Sequence, residues 1–103
     1  MPIKVQSFLH NKPIANLNKR DLEKMSAILQ RPYIVTVFQT VDGFWTLEFA
    51  FDEIQRYGIE TVRRILKVWA NFADSILFVQ QHCLNASAVY LEFHGWRFEK
   101  VRG

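Results

Sequence analysis

The stretch from Gly58 to Cys83 constrains the fold more than any other part of the chain. It reads GIETVRRILKVWANFADSILFVQQHC and holds no proline and no glycine after its first residue. Its apolar side chains recur at spacings of three and four residues, as they do on the buried face of a helix. These side chains are Val62, Ile65, Leu66, Trp69, Phe72, Ala73, Ile76 and Cys83. The pattern predicts a helix that packs against the strand-like segments before and after it.

The length of this helix is open. A single helix to Cys83 would hold about 25 residues and span about 37 Å. A domain of 103 residues has a radius of gyration of only about 13 Å, so such a helix would extend beyond its own sheet. The alternative ends the helix near Asp74 and makes Ser75–Gln80 a strand. The absence of glycine and proline from Ile59 to Ala86 favours the continuous helix.

Residues 33–51 predict a β-hairpin. Asp42-Gly43 is the dipeptide favoured in two-residue type I′ turns, and this turn places Phe38 opposite Leu47. One face of the hairpin then carries Ile34, Phe38, Trp45, Leu47, Phe49 and Phe51. We expect this face in the core, because a slip of one residue would turn the aromatic set towards water. The other face carries Val35, Val37, Gln39, Thr46, Glu48 and Ala50.

A second hairpin is predicted near the C-terminus, with its turn at His94-Gly95. This register places Phe93 opposite Trp96, Leu91 opposite Phe98 and Glu92 opposite Arg97. The last pair joins opposite charges across the strands, which supports the register. The glutamates on the outer faces of the two hairpins, Glu48 and Glu92, are expected to be solvated.

The remaining elements are shorter. Ile3–Ser7 predicts a strand, and Asn18 is a candidate N-cap for a helix over residues 19–30. Asp52–Tyr57 predicts one short turn of helix, which Gly58 would end.

Together the elements predict a single α+β domain over residues 1–103, with helices on one face of an antiparallel sheet of four to five strands. The sheet would comprise the two hairpins and the N-terminal strand, packed on the long helix of the C-terminal half and the shorter N-terminal helix. With a strand at Ser75–Gln80, the element order would resemble the ferredoxin-like split βαβ pattern, in order of elements alone.

Composition limits the class of protein. Half of the residues are hydrophobic and 15% are aromatic, which is enough for a core and leaves aromatic side chains for an interface. Cys83 is the only cysteine, so we expect neither disulfides nor a cysteine metal cluster, and a cytoplasmic location fits. The N-terminus lacks the apolar segment of a signal peptide, and no membrane span is predicted. The net charge of +3 favours a nucleic-acid partner only weakly.

No catalytic residue, cofactor site or metal site is predicted, and an enzyme is disfavoured. His82 and Cys83 are adjacent, and neighbouring residues on a helix point about 100° apart, so they do not converge on one ion. A lone cysteine on an apolar stripe is typical of a small buried side chain. A ligand or enzyme pocket between sheet and helix would be lined by Trp45, Trp69 and Trp96.

The favoured hypothesis is a small binding or interaction protein, homodimeric, which presents its aromatic-rich sheet or a cleft between subunits to a partner or small ligand. Surplus apolar side chains on the long helix, Val68, Leu77 and Phe78, would form the interface. The alternative is a nucleic-acid-binding module. Its basic residues would be Arg63, Arg64, Lys67, Arg97 and Lys100.

Overall fold

Six strands in one sheet form the centre of the fold. The computed structural model describes residues 15–29, 32–61 and 63–100. The elements follow in the order β1 (Ala15–Leu17), α1 (Lys19–Leu29), β2 (Tyr33–Gln39), β3 (Trp45–Ala50), β4 (Arg56–Ile59), α2 (Phe72–His82), β5 (Ala86–Phe93) and β6 (Trp96–Glu99). The predicted strand Ile3–Ser7 lies outside the described residues.

The sheet is mixed, with the strand order β1-β4-β3-β2-β5-β6. The pairs β1–β4 and β2–β5 are parallel, and the other pairs are antiparallel. The predicted α+β class is confirmed, and the prediction of a wholly antiparallel sheet of four to five strands is wrong. Each helix carries the chain across the sheet, so the strand after it runs in the same direction as the strand before it.

The predicted long helix is also wrong in its first half. Residues 63–71 are a non-helical connection, with a turn in which Arg64 takes a φ of 62°, and α2 begins only at Phe72 and ends at His82. Asn71 is its N-cap, with extended backbone angles and a side-chain oxygen that accepts a hydrogen bond from the Ala73 N–H at 2.8 Å. Residues 75–80 are therefore helical, as the continuous-helix prediction had them. Neither helix in the described part of the chain is both long and apolar enough to cross a membrane.

The first hairpin forms with a register one residue away from the prediction. Gln39 pairs with Trp45 and Val37 with Leu47, where the prediction paired Phe38 with Leu47. The cause is a longer turn, in which the Gly43 N–H donates to the Thr40 carbonyl at 3.0 Å and Gly43 takes a φ of 89°. In this turn only Gly43 needs a left-handed backbone conformation. In a type I′ turn, Asp42 would need that conformation as well.

This shift reverses the two faces of β2. Val35 and Val37 are fully buried, whereas Ile34 and Phe38 lie on the opposite face of the sheet and are half-buried. Leu47 and Phe49 of β3 are in the core as predicted. The core face of the sheet, which we call the helix face, packs against side chains from both helices. The buried residues of this core are Leu17, Leu22, Tyr33, Val35, Val37, Leu47, Phe49, Phe51, Ile59, Phe78, Val79 and Cys83.

The local predictions had mixed outcomes. The Asp21 N–H donates to the side chain of Asn18 at 2.8 Å, which confirms the predicted N-cap of α1. The second hairpin has the predicted register, with Glu92 opposite Arg97. Asp52 accepts hydrogen bonds from two backbone N–H groups of a tight turn. The short helix predicted after it is absent, because residues 56–59 form β4.

Replacement of Asn71 by alanine tests what starts α2. The change removes the acceptor of the Ala73 N–H, so we expect the free energy of unfolding to fall by about 1 kcal/mol in urea titrations. Asn71→Asp keeps an acceptor at the helix N-terminus and should retain the stability. Equal stability of the wild type and the alanine variant would contradict a capping role.

Candidate functional site

An open groove of about 630 Å³ lies between α2 and the hairpin β5–β6. Both the helix and the hairpin line it mainly with apolar side chains. Helix α2 contributes Phe72, Ile76, Val79 and Gln80, its C-cap contributes Cys83, and the hairpin contributes Val89, Leu91 and Phe98. Glu99 and Lys100 lie on the same lining at the end of β6.

The groove exists because the helices do not cover the whole sheet. Helix α2 packs against β2 and β3, where Phe78 and Val79 join the core. The register of β5 and β6 places Leu91, Phe93, Trp96 and Phe98 on the same face of the sheet, one to two strands further along. Trp96 is 68% exposed and Phe98 is 50% exposed. This exposed apolar surface beside the groove is the candidate site.

Strand β6 forms an open edge beside this groove. Among the residues that the structure describes, no strand pairs with its outer side. The Lys100 N–H donates inward to the Val89 carbonyl at 2.9 Å, so Phe98 and Trp96 also direct their backbone groups towards β5. The backbone groups of Arg97 and Glu99 therefore point outward. An exposed edge with unpaired N–H and C=O groups is a template for another strand.

The three tryptophans do not meet in one pocket. Trp45 and Trp69 form a backbone bridge, and the ring of Trp45 stacks on Phe93 with centroids 5.6 Å apart. Trp96 lies at the sheet edge, where its ring stacks on that of Phe98 at 6.3 Å. None of the three lines the groove.

The predicted interface residues have different environments. Val68, in the connection before α2, and Leu77, on α2, are exposed. Phe78 is only 8% exposed, and its ring packs on Trp69 with centroids 5.2 Å apart, so it belongs to the core. The buried side of α2 is rotated from the predicted one. Ser75 is fully buried on that side and donates its hydroxyl to the Phe72 carbonyl at 2.6 Å. Because Ser75 is polar, the spacing of apolar residues does not indicate its burial.

The basic residues are divided between two parts of the molecule. Arg63 and Arg64 are exposed in the connection after β4, and the Lys67 amine lies over the Trp69 ring at 5.2 Å. Arg97 and Lys100 belong to the far edge of the sheet. Four strand spacings separate β4 from β6, about 19 Å. A nucleic-acid interface stays a prediction, and it would have to span this distance.

Arg97 has contacts within its own hairpin. Its guanidinium lies 3.9 Å from the centroid of the Tyr90 ring, and its Nε lies 4.0 Å from the carboxylate of Glu92. These contacts hold Arg97 on the face of the sheet opposite the helices.

Two carboxylates are buried on that opposite face. Glu48 and Glu92 are 3% and 4% exposed, so the prediction that both are solvated is wrong. Burial raises the pKa of Glu48 to about 7, while Arg56 lowers it and Glu92 raises it further. Burial also raises the pKa of Glu92, and Arg97 partly offsets this. One oxygen of each carboxylate is buried without a hydrogen-bond partner.

His82 and Cys83 do not form a reactive pair. Cys83 is in the core, and burial raises the pKa of its thiol to about 12, with a smaller lowering by a hydrogen bond from Tyr33. The thiolate, which is the reactive form, is therefore scarce at neutral pH. His82 lies 3.6 Å from Glu23 of α1. Across the residues that the structure describes, no three histidine, cysteine, aspartate or glutamate side chains converge as metal ligands do.

Comparison of the chain with family models, curated proteins and solved structures finds no match. The groove, the open edge of β6 and the polar groups around them are therefore the features from which a function can be inferred.

The buried glutamate of β3 predicts a pH-dependent stability. Glu48 has an ordinary pKa of 4.5 when unfolded and about 7 when folded. The folded state holds this proton more tightly than the unfolded state. The contribution of Glu48 to the free energy of unfolding is therefore largest below pH 4.5 and falls as the pH rises towards 7. The loss is on the order of 3 kcal/mol, and Glu92 acts in the same direction.

The Glu48→Gln variant should lose most of this decline, because glutamine does not ionise. Urea titrations of the wild type and of Glu48→Gln at pH 4.5, 6 and 8 give the unfolding free energies from which the decline is measured. Glu53→Gln, which changes an exposed carboxylate, is the matched control and should behave as the wild type. Identical pH profiles of the wild type and Glu48→Gln would refute the assignment.

Proposed function

We propose that this protein is a small binding protein, homodimeric and without chemistry of its own, which holds an apolar ligand in the groove between α2 and the β5–β6 hairpin. The observation that carries the proposal is the groove itself. Its volume of about 630 Å³ lies within the roughly 300–1,000 Å³ of small-ligand sites, and such sites are lined mainly by apolar side chains.

The polar groups at the groove suggest how a ligand would be oriented. Gln80 and Lys100 contribute to the lining and are exposed to solvent. Glu99 also borders the groove, but the register of β6 places its side chain on the opposite face of the sheet. Apart from Cys83, the remaining lining residues are aliphatic or aromatic. This distribution favours a ligand with an extended apolar part that enters between helix and sheet and one polar end that stays at the mouth.

The location that we propose is the cytoplasm. Cys83 is a free, buried thiol, and a reducing compartment keeps such a thiol free.

Filling the groove with a larger side chain tests the proposal. Ile76 lines the groove, whereas its neighbour Leu77 on the same helix is exposed and does not line it. We expect the wild type to bind the neutral fluorescent probe N-phenyl-1-naphthylamine. Ile76→Trp should weaken binding about tenfold or more, and Leu77→Trp should bind as the wild type does.

Circular dichroism verifies that each variant is folded. If Ile76→Trp does not fold, Val89→Trp fills the same groove from β5 and replaces it. Equal probe affinity of the groove and control variants, or no binding by the wild type, would exclude the groove as the ligand site.

A further inference from the structure

We infer that β6 pairs antiparallel with β6 of a second copy, with Phe98 on the twofold axis, so that one continuous sheet runs through both copies. This inference rests on the proposed homodimer and specifies its interface. It follows from three properties of β6, which are the direction of its backbone groups, the order of its charges and its exposed aromatic side chains.

The backbone limits the registers. Arg97 and Glu99 are the residues of β6 whose N–H and C=O groups point away from β5. In an antiparallel pair, the residues that exchange hydrogen bonds lie directly opposite each other. Symmetric pairings centred on Arg97, on Phe98 or on Glu99 use these groups, and only the one centred on Phe98 pairs both Arg97 and Glu99 with residues of β6.

The charges distinguish these three registers. Centring on Arg97 places two arginines directly opposite each other, and centring on Glu99 does the same with two glutamates. Like charges in directly opposite positions are destabilising. Centring on Phe98 places Arg97 opposite Glu99 of the second copy, and the reverse pair forms by symmetry. Only this register joins opposite charges, and both pairs also exchange their backbone hydrogen bonds.

The aromatic side chains agree with the same register. On the helix face, Phe98 would lie opposite Phe98 of the second copy, and Lys100 would lie opposite its Trp96. The rings of Trp96 and Phe98 are 68% and 50% exposed in the single chain, so pairing removes both from water. Lys100 lines the groove, so Trp96 of the second copy would close the side of the groove that is open at β6. Each ligand site would thus be completed by the other subunit.

Single cysteine substitutions test the register directly. On the twofold axis, residues of a pair without mutual hydrogen bonds have Cα atoms about 4.5 Å apart, within the range of a disulfide. Diagonal neighbours are about 7–8 Å apart, which is too far. We expect Phe98→Cys to form a covalent dimer under mild oxidation, seen on non-reducing gels.

The matched variants Arg97→Cys and Glu99→Cys should remain without this link. The wild type, whose Cys83 is buried, provides the background. Covalent dimers from Arg97→Cys or Glu99→Cys instead would overturn the register, and none from any of the three would overturn the pairing.

A charge exchange tests the ion pairs without oxidation. Arg97→Glu alone and Glu99→Lys alone each place like charges opposite each other twice, so each variant should dissociate at protein concentrations about tenfold or more above those of the wild type. A mixture of the two variants restores both attractive pairs and should form a heterodimer. Analytical ultracentrifugation measures the dimerisation of each variant and of the mixture, and circular dichroism verifies that each variant is folded.

The exposed residues Arg63 and Glu53 provide controls of the same chemistry far from β6. Arg63→Glu and Glu53→Lys should dimerise as the wild type does. A monomeric wild type at tens of micromolar, or a mixture that stays monomeric, would overturn the inference.

The two proposals fail in different ways. If the wild type is monomeric but still binds N-phenyl-1-naphthylamine, the groove stands and the β6 pairing falls. If Phe98→Cys crosslinks but the probe does not bind, the pairing stands and the ligand proposal falls.

Discussion

Trp45 and Trp69 exchange two backbone hydrogen bonds of 2.8 Å each, and this bridge holds the connection before α2 against the edge of β3. Because these residues are bound to the sheet, they are not free to be helical. The helix then begins at the next strong cap, Asn71, and has eleven residues. One helix is about 10–12 Å wide and α2 packs on β2 and β3, whereas six strands at about 4.8 Å occupy about 24 Å between their outermost axes. The apolar residues of β5 and β6 are consequently left in an open groove.

The elements that sequence reasoning placed correctly are determined by neighbouring residues. Asn18 caps α1 through the Asp21 N–H, and the His94-Gly95 turn sets the register of its hairpin within a few residues. The Asp42-Gly43 turn is also local, but the same dipeptide fits a two-residue and a three-residue loop. That difference of one residue exchanged the faces of β2, although the aromatic face of β3 was correct.

The errors beyond the turns come from contacts between distant segments. The spacing of apolar residues before Asn71 fits a helix, and pairing with β3 decides against it. Glu48 and Glu92 were correctly placed on the face of the sheet opposite the core. Their burial depends on the groups that surround that face, and the spacing of apolar residues in the sequence does not indicate it. The groove depends on where α2 ends relative to β5. Its lining residues come from three elements, and no motif connects them in the sequence.

The two faces of β6 would have separate roles in the proposed dimer. Arg97 is held over Tyr90 and beside Glu92, on the face away from the groove. A guanidinium already restrained by a ring and a carboxylate loses less side-chain entropy when it meets a further carboxylate. The polar face would therefore determine the register, in which Glu99 of the second copy lies opposite Arg97. The apolar face, with Trp96 and Phe98, would supply the buried area. Covering about 100 Å² of each ring is worth at most about 2.5 kcal/mol, or about 10 kcal/mol for the four rings of the dimer. This gain is comparable with the cost of association, so a stable dimer needs the ion pairs and backbone hydrogen bonds as well.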